Sequence, residues 1–206
     1  MKESIPEVLF LDIGGVLLSN GWGHESRRKA AGEFGFPYEE MEELHHFIFN
    51  IYEIGKITLD EYLETVVFNH PRDFTPEAFK AFMYNQSIEL PEMLPWLKSW
   101  KKQYGVRIIA LNNEGRELND FRIDRFGLRD CFDAFISSCE VGMRKPDPGI
   151  YHLATRIAHC DPSRCLYLDD RPELVQAACK QGIRGYHHQN FLATKNLLEK
   201  ALSWNP

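Results

Sequence analysis

V-L-F-L-D-I-G-G-V-L-L, Val8 to Leu18, is the stretch on which the fold of this chain turns. Val8 to Leu11 are apolar at every position rather than at alternate ones, the pattern of a strand covered on both faces in a parallel sheet. Asp12 follows where that strand ends, and open α/β sheets bind ligands outside the carboxyl ends of their strands. Gly14 and Gly15 then let the backbone approach an anion closely, with N–H groups turned toward it. Taken alone, the stretch reads equally well as a strand ending in an Asp that caps a turn.

Three later stretches separate those readings. R-I-I-A-L-N-N, Arg107 to Asn113, is a second apolar strand ending in two amides. G-M-R-K-P-D, Gly142 to Asp147, offers Lys145 on a loop, and C-L-Y-L-D-D, Cys165 to Asp170, ends a further strand in two carboxylates. In order and spacing these four motifs resemble the haloacid dehalogenase-like (HAD) superfamily of aspartate-nucleophile hydrolases. Within it the chain is similar to the small helical-cap phosphatases, such as the bacterial glucose-1-phosphate phosphatases. Each motif alone is weak; four in order, over nearly the whole chain, are specific.

The chain has 206 residues, of which 44% are hydrophobic, 13% aromatic and 26% charged, a globular composition able to bury a substantial core. A net charge of -6 argues against a nucleic-acid partner, and the one dense basic cluster, Arg27-Arg28-Lys29, reads as the solvated face of a helix. Five cysteines without a C-x-x-C pair suggest neither a disulfide framework nor a zinc site, and hence a reducing compartment. No signal peptide is read at the start, where Glu3, Glu7 and Asp12 interrupt the apolar residues, and no apolar run is long enough to span a bilayer. The expected setting is the cytoplasm, with no membrane partner, as a monomer or weak homodimer.

After the first strand, the turn-rich Leu18 to Gly23 leads into segments with helical punctuation, predicted at His24–Phe34, Tyr38–Ile54, Thr58–Asn69 and Pro76–Asn85. Thr58 and Glu61 fit a capping box, and Thr75-Pro76 puts a cap before Pro at the first helical position. A helix opening with the prolines near Leu90 stops at Gly105. Strands are then predicted at Val106–Leu111, Phe132–Ser137, Cys165–Leu168 and Gly185–His187, and helices at Phe121–Phe126, Pro148–His159, Glu173–Gln181 and Ala193–Ser203. Strands alternating with helices make an α/β doubly wound parallel sheet. The resemblance implies the same, an HAD-like Rossmannoid core of residues 1–18 and 88–206 with an inserted small helical cap over residues 19–87.

The resemblance also implies roles. Asp12 would be the nucleophile of an aspartyl-phosphate route. Mg2+ would be held by Asp12, the Gly14 carbonyl and Asp170, with Asp169 in the outer shell. Lys145 would face the phosphate together with Asn112, Asn113, Gly14 and Gly15. The implied activity is a magnesium-dependent phosphatase of small phosphorylated metabolites, sugar phosphates among them. Three positions depart from the family pattern. Gly14 stands where most such phosphatases carry a second Asp as general acid, although the glucose-1-phosphate enzymes also have Gly. Asn112 replaces the usual Ser or Thr. Leu174, beside Glu173, replaces an Asn or Asp. Without the acid, the expectations are a slow enzyme, a good leaving group, or another donor such as Glu114 or a cap residue. The same departures support a second reading, a catalytically weakened protein that binds a phosphorylated ligand or a protein partner. A 2-haloacid dehalogenase would need no metal, and the Asp169-Asp170 pair argues against it. Trp22, His24, His45, His46 and Tyr52 are candidates to face the cleft, though packing or surface explains each as well.

Overall fold

The computed structural model describes residues 6–202. Five strands form one parallel sheet: β1 (Val8–Leu11), β2 (Arg107–Asn112), β3 (Ala134–Ser137), β4 (Cys165–Asp169) and β5 (Arg184–His187). Among the described residues there are ten α-helices. Four follow β1 directly in the chain: α1 (His24–Phe34), α2 (Tyr38–Glu53), α3 (Leu59–Val66) and α4 (Pro76–Asn85). The others are α5 (Met93–Tyr104), α6 (Arg116–Arg125), α7 (Ser138–Val141), α8 (Pro148–Ile157), α9 (Pro172–Cys179) and α10 (Phe191–Leu202).

The strand order is β3-β2-β1-β4-β5, so β1 lies at the centre with all four residues fully buried. Its alternate side chains enter two separate cores, which is why the run has no polar positions. Leu9 and Leu11 pack with Met93, Leu94, Leu97 and Trp100 of α5 and with Leu198 of α10. Val8 and Phe10 pack with Ile150, Tyr151 and Ala154 of α8 and with Leu174 and Ala178 of α9. The chain winds outward from β1 to β3, then returns to place β4 beside β1, in register from Val8 opposite Cys165 to Leu11 opposite Leu168. Strand order reverses at that point, so the loops after β1 and β4 diverge and open a crevice. Asp12 and the Asp169-Asp170 pair sit at its edge.

A third apolar cluster, with Trp22, Tyr52, Tyr62, Phe79 and Met83 at its centre, is built by α1–α4 and receives Leu118 from α6. The segments entering and leaving these four helices run together. Ser19 donates its backbone N–H to Ile88 (2.7 Å) and its hydroxyl to the Gln86 carbonyl (2.7 Å), and Leu90 N–H reaches the Leu17 carbonyl (2.9 Å). Their contact with the segments that follow β2 and β3 is close: a Cβ on Gly115, which caps α6, would overlap the Tyr52 ring, and one on Gly55 the backbone of Cys139 in α7.

The local signals account for most boundaries. Thr58 and Glu61 form the expected reciprocal capping box, Thr75 caps α4 ahead of Pro76, and Gly105 closes α5 in the left-handed conformation. The predicted edges shift by a few residues elsewhere: α3 stops at Val66, and α5 starts at Met93, after the strained turn at Glu92. The largest difference is α6, predicted over Phe121–Phe126 and found from Arg116. Its buried face carries Asn119 and Arg122 beside Leu118 and Ile123, so no apolar period announces it. Helix α7 was not predicted. The last predicted helix begins two residues early at Phe191, and its expected end, Ser203, lies outside the described residues, as do positions 1–5 and 203–206 of the expected core domain. Arg27 corrects the reading of the basic cluster. Only Arg28 and Lys29 are exposed, whereas Arg27 is buried in a two-pronged pair with Glu42 (2.7 Å for each hydrogen bond). All five cysteines are free thiols. No helix among the described residues is long and apolar enough to cross a membrane.

Candidate active site

Two buried carboxylates at the ends of β1 and β4 share one buried ammonium. Asp12 is 5% exposed, Asp169 and Lys145 are 0% exposed, and Lys145 Nζ lies 2.7 Å from Asp169 Oδ2 and 3.1 Å from Asp12 Oδ1. Asp169 also accepts from the Tyr167 hydroxyl and from the Arg171 backbone N–H (2.8 Å). Burial pushes its carboxyl up, but the Lys145 charge and these hydrogen bonds outweigh burial and hold it below the ordinary range. For Asp12 the balance is reversed. Burial is the largest influence and Asp169 adds to it, so its carboxyl is raised despite Lys145 and Arg171. Asp169 is thus the member of the pair that holds its negative charge most firmly, with its oxygens occupied by protein donors.

Lys145 reaches this centre because its backbone is clamped. Asn113, just beyond β2, accepts from the Lys145 N–H (2.8 Å) and donates to its carbonyl (2.9 Å), using both ends of its amide. Asn112 is likewise engaged, donating to Asn119 Oδ1 (3.0 Å) and accepting from the Ser137 hydroxyl (2.8 Å). Each lines the crevice, but both amide side chains work first as braces for the loop and for α6.

Asp170, just beyond the end of β4, is half-buried. Burial, then Asp12 and Asp169, push its carboxyl up to about 6. Asp12, Asp169 and Asp170 bring ligand oxygens within 4.8 Å of one another. Three hard oxygen donors whose mutual repulsion exceeds the charge supplied by the protein fit a divalent cation such as magnesium. Gly15 makes the approach possible. It sits at φ +69°, and a Cβ there would overlap the Asp170 carboxylate. Gly14 is not in the left-handed region; a Cβ on it would stand 3.1 Å from Asn20 Oδ1 and 4.0 Å from Arg122 Nη1.

Above Asp12 lies a cavity of about 270 Å³, lined by Gly14, Asn20, Trp22 and Gly23 below α1, by Arg27, Phe49 and Glu53 from the inserted helices, and by Asn112, Asn113, Glu114, Arg122 and Arg171. Of the residues considered for the cleft, Trp22 lines it, donating its indole N–H to Tyr62 (2.9 Å). His45 is buried against the same Tyr62 hydroxyl (2.8 Å), Tyr52 stacks on Tyr62, and His24 and His46 are exposed beside Glu42. Leu174 is core, and Glu173 is exposed. Sequence reasoning missed Arg27, Glu53, Arg122 and Arg171 as cavity residues. For Arg171 a signal existed, since it directly follows Asp169-Asp170. For the others none did, because the burial of each charge depends on a partner that only the folded backbone brings to it: Glu53 Oε2 lies 2.5 Å from Arg144 Nε, and Arg122 Nη1 donates to Glu114 Oε2 (2.5 Å) on the loop just before α6.

The comparison with known proteins points the same way. The pattern of the haloacid dehalogenase-like hydrolases matches residues 6–180. A phosphorylated carbohydrates phosphatase from Thermotoga maritima is 27% identical over 183 residues, covering 86% of this chain and 82% of its own. Flavin mononucleotide hydrolase 1 from Arabidopsis thaliana is 29% identical over 158 residues, and this chain spans 63% of its length. Among solved structures, a HAD family enzyme from Bacteroides thetaiotaomicron in complex with magnesium and inorganic phosphate superposes with a TM-score of 0.75 at 22% identity, covering 88% of this chain and 93% of that one. With the match extending over most of its length, this chain belongs to the haloacid dehalogenase-like hydrolase family.

Proposed function

We propose that the protein is a magnesium-dependent phosphatase of small phosphorylated metabolites, sugar phosphates among them, working through an aspartyl-phosphate on Asp12. The observation that carries the reading is the buried Asp12–Lys145–Asp169 centre, set beside Asp170 at the strand-order reversal and opening into a polar cavity of about 270 Å³. In this reading Asp12 attacks phosphorus in line, the bond to the leaving oxygen breaks, and water then cleaves the acyl phosphate to restore the carboxylate. Lys145 favours the charged form of Asp12 against its burial and presents positive charge to the equatorial oxygens. Asp12, the Gly14 carbonyl and Asp170 would hold magnesium, and Asp169, saturated by Lys145, Tyr167 and Arg171, would orient from outside. Bound magnesium supplies positive charge that lets the carboxylate and the phosphate dianion approach each other.

Residues 19–87 serve in this reading as the cap that closes over the substrate. The phosphatase named for Thermotoga maritima supports the substrate class. The same reading takes the partner to be a small metabolite, with no nucleic acid and no membrane, and the protein to be a cytoplasmic monomer or weak homodimer, in keeping with its acidic charge and free thiols. The alternative of a non-catalytic binder draws on the glycine at position 14. Purified protein assayed against a panel of phosphorylated metabolites decides between them. Phosphate release that needs magnesium and disappears in Asp12→Asn is the expected result; magnesium-independent or absent release from the whole panel would sink the phosphatase reading.

A further inference from the structure

The buried pair of Glu114 and Arg122 is hard to explain by stability alone. Both side chains are buried (6% and 4% exposed), and a buried ion pair seldom outperforms well-packed apolar residues of the same volume. The pair is also placed oddly for a purely structural brace. It lies in the wall of the cavity that holds Asp12, and Arg122 Nη1 stands 4.0 Å from where a Cβ on Gly14 would begin. A carboxylate side chain at position 14 would therefore extend into the space this pair borders. Glu114 is fixed there from three directions: Arg122 Nη1 holds Oε2 (2.5 Å), the Gly115 N–H reaches Oε1 (3.3 Å), and the Ser138 hydroxyl holds the Glu114 backbone N–H (3.0 Å). Arg122 is fixed in turn by the Ser19 carbonyl, while its buried Nε has no partner.

Resting on the phosphatase reading above, we propose that Glu114, positioned by Arg122 beside Gly14, donates the proton to the leaving oxygen and later takes one from water. As Asp12 bonds to phosphorus and the bond to the leaving oxygen breaks, the Glu114 proton passes to that oxygen and the alcohol departs. Water then attacks phosphorus, its proton returns to Glu114, and the bond to Asp12 breaks to release inorganic phosphate. Atoms and protons balance over the two steps. Burial raises the Glu114 carboxyl, opposed by Arg122 and reinforced by Asp12. Glu53, Tyr52 and Cys139 also sense its charge, and no cation besides Arg122 is among the groups acting most strongly on it.

The test uses the full chain with magnesium and a series of aryl phosphates from 4-nitrophenyl to phenyl phosphate. Glu114→Gln is expected to lower kcat/KM for phenyl phosphate roughly 10²- to 10⁴-fold and for 4-nitrophenyl phosphate far less, steepening the dependence on leaving-group pKa. Adding Gly14→Asp to that variant should restore the poor substrates, a rescue that a folding defect would not show. Arg122→Met should move the alkaline limb of the pH profile to higher pH, because a carboxylic acid without its cation releases its proton later. A wild-type protein active on the series whose Glu114→Gln variant keeps the same leaving-group dependence, or whose loss is equal for every substrate and not rescued at position 14, overturns the assignment while leaving the phosphatase reading intact. A wild-type protein inert toward the whole series overturns both.

Discussion

Lys145→Met removes one charge and little volume from the most buried point of the site. Lys145 is 0% exposed and stands between two aspartates, at 2.7 Å and 3.1 Å, so the substitution leaves two buried carboxylates facing each other without their cation. Removing one partner of a buried ion pair costs about 3–5 kcal/mol. For a chain of this size each kcal/mol moves Tm by roughly 2–4 °C, so the variant should melt about 6–20 °C lower in chelator at neutral pH. The pH dependence has a definite sign. Lys145 helps hold the Asp169 carboxyl below its ordinary value, a contribution present above the unfolded value near 4 and lost as pH falls through the lower folded value. In the variant that contribution is absent, and protonation relieves the carboxylate repulsion. The stability gap between the two proteins should narrow as pH falls from 8 toward 5, because the two buried carboxylates left without their cation take up protons in the folded variant at higher pH than in the unfolded chain, while the Asp169 contribution of the unmodified protein stays intact over that range. Urea unfolding at both pH values in chelator measures it. A gap below about 1 kcal/mol at pH 8, or one that widens on acidification, would refute the claim that Lys145 compensates the two acids.

Magnesium should raise Tm, by the equivalent of about 2.7 kcal/mol at a hundredfold excess over Kd, and Asp170→Asn should abolish the increase; an unchanged shift in that variant would remove Asp170 from the metal site. Gly15→Ala, which forces a Cβ into the Asp170 carboxylate at φ +69°, should destabilise by at least 1 kcal/mol and weaken the magnesium-induced shift in a calorimetric scan. Asn113→Ala should lose about 1–3 kcal/mol in denaturant and lower turnover, because both hydrogen bonds to the Lys145 backbone disappear; unaltered kinetics would show that the clamp is dispensable. Thr58→Ala should cost about 1 kcal/mol by removing the capping box of α3, read as a shift in the urea midpoint without a change in slope.

What the amino-acid sequence determined by itself was whatever depends on near neighbours and on period. The unbroken run Val8–Leu11 announces a strand buried on both faces, and the sheet order places it at the centre. Asp12 and Asp169-Asp170 are legible as strand-end acids because an apolar run stops at each, and Thr58, Thr75 and Gly105 mark helix ends through their own backbone chemistry. Burial of charge follows a different logic. Arg27 reads as surface in a basic cluster until Glu42 arrives from α2, and Lys145 reads as a loop lysine until Asp12 and Asp169 close on it from strands far apart in the chain. Arg122 hides the start of α6 from any periodicity, because a charged side chain enters a core only where a counter-charge is turned toward it, here Glu114 on the loop just before the helix. Desolvating a charge is unfavourable unless a partner is already positioned, and no stretch of sequence carries its partner's coordinates. The strand ends were therefore readable one by one, while the cavity they face was decided only when the inserted helices and the sheet came together.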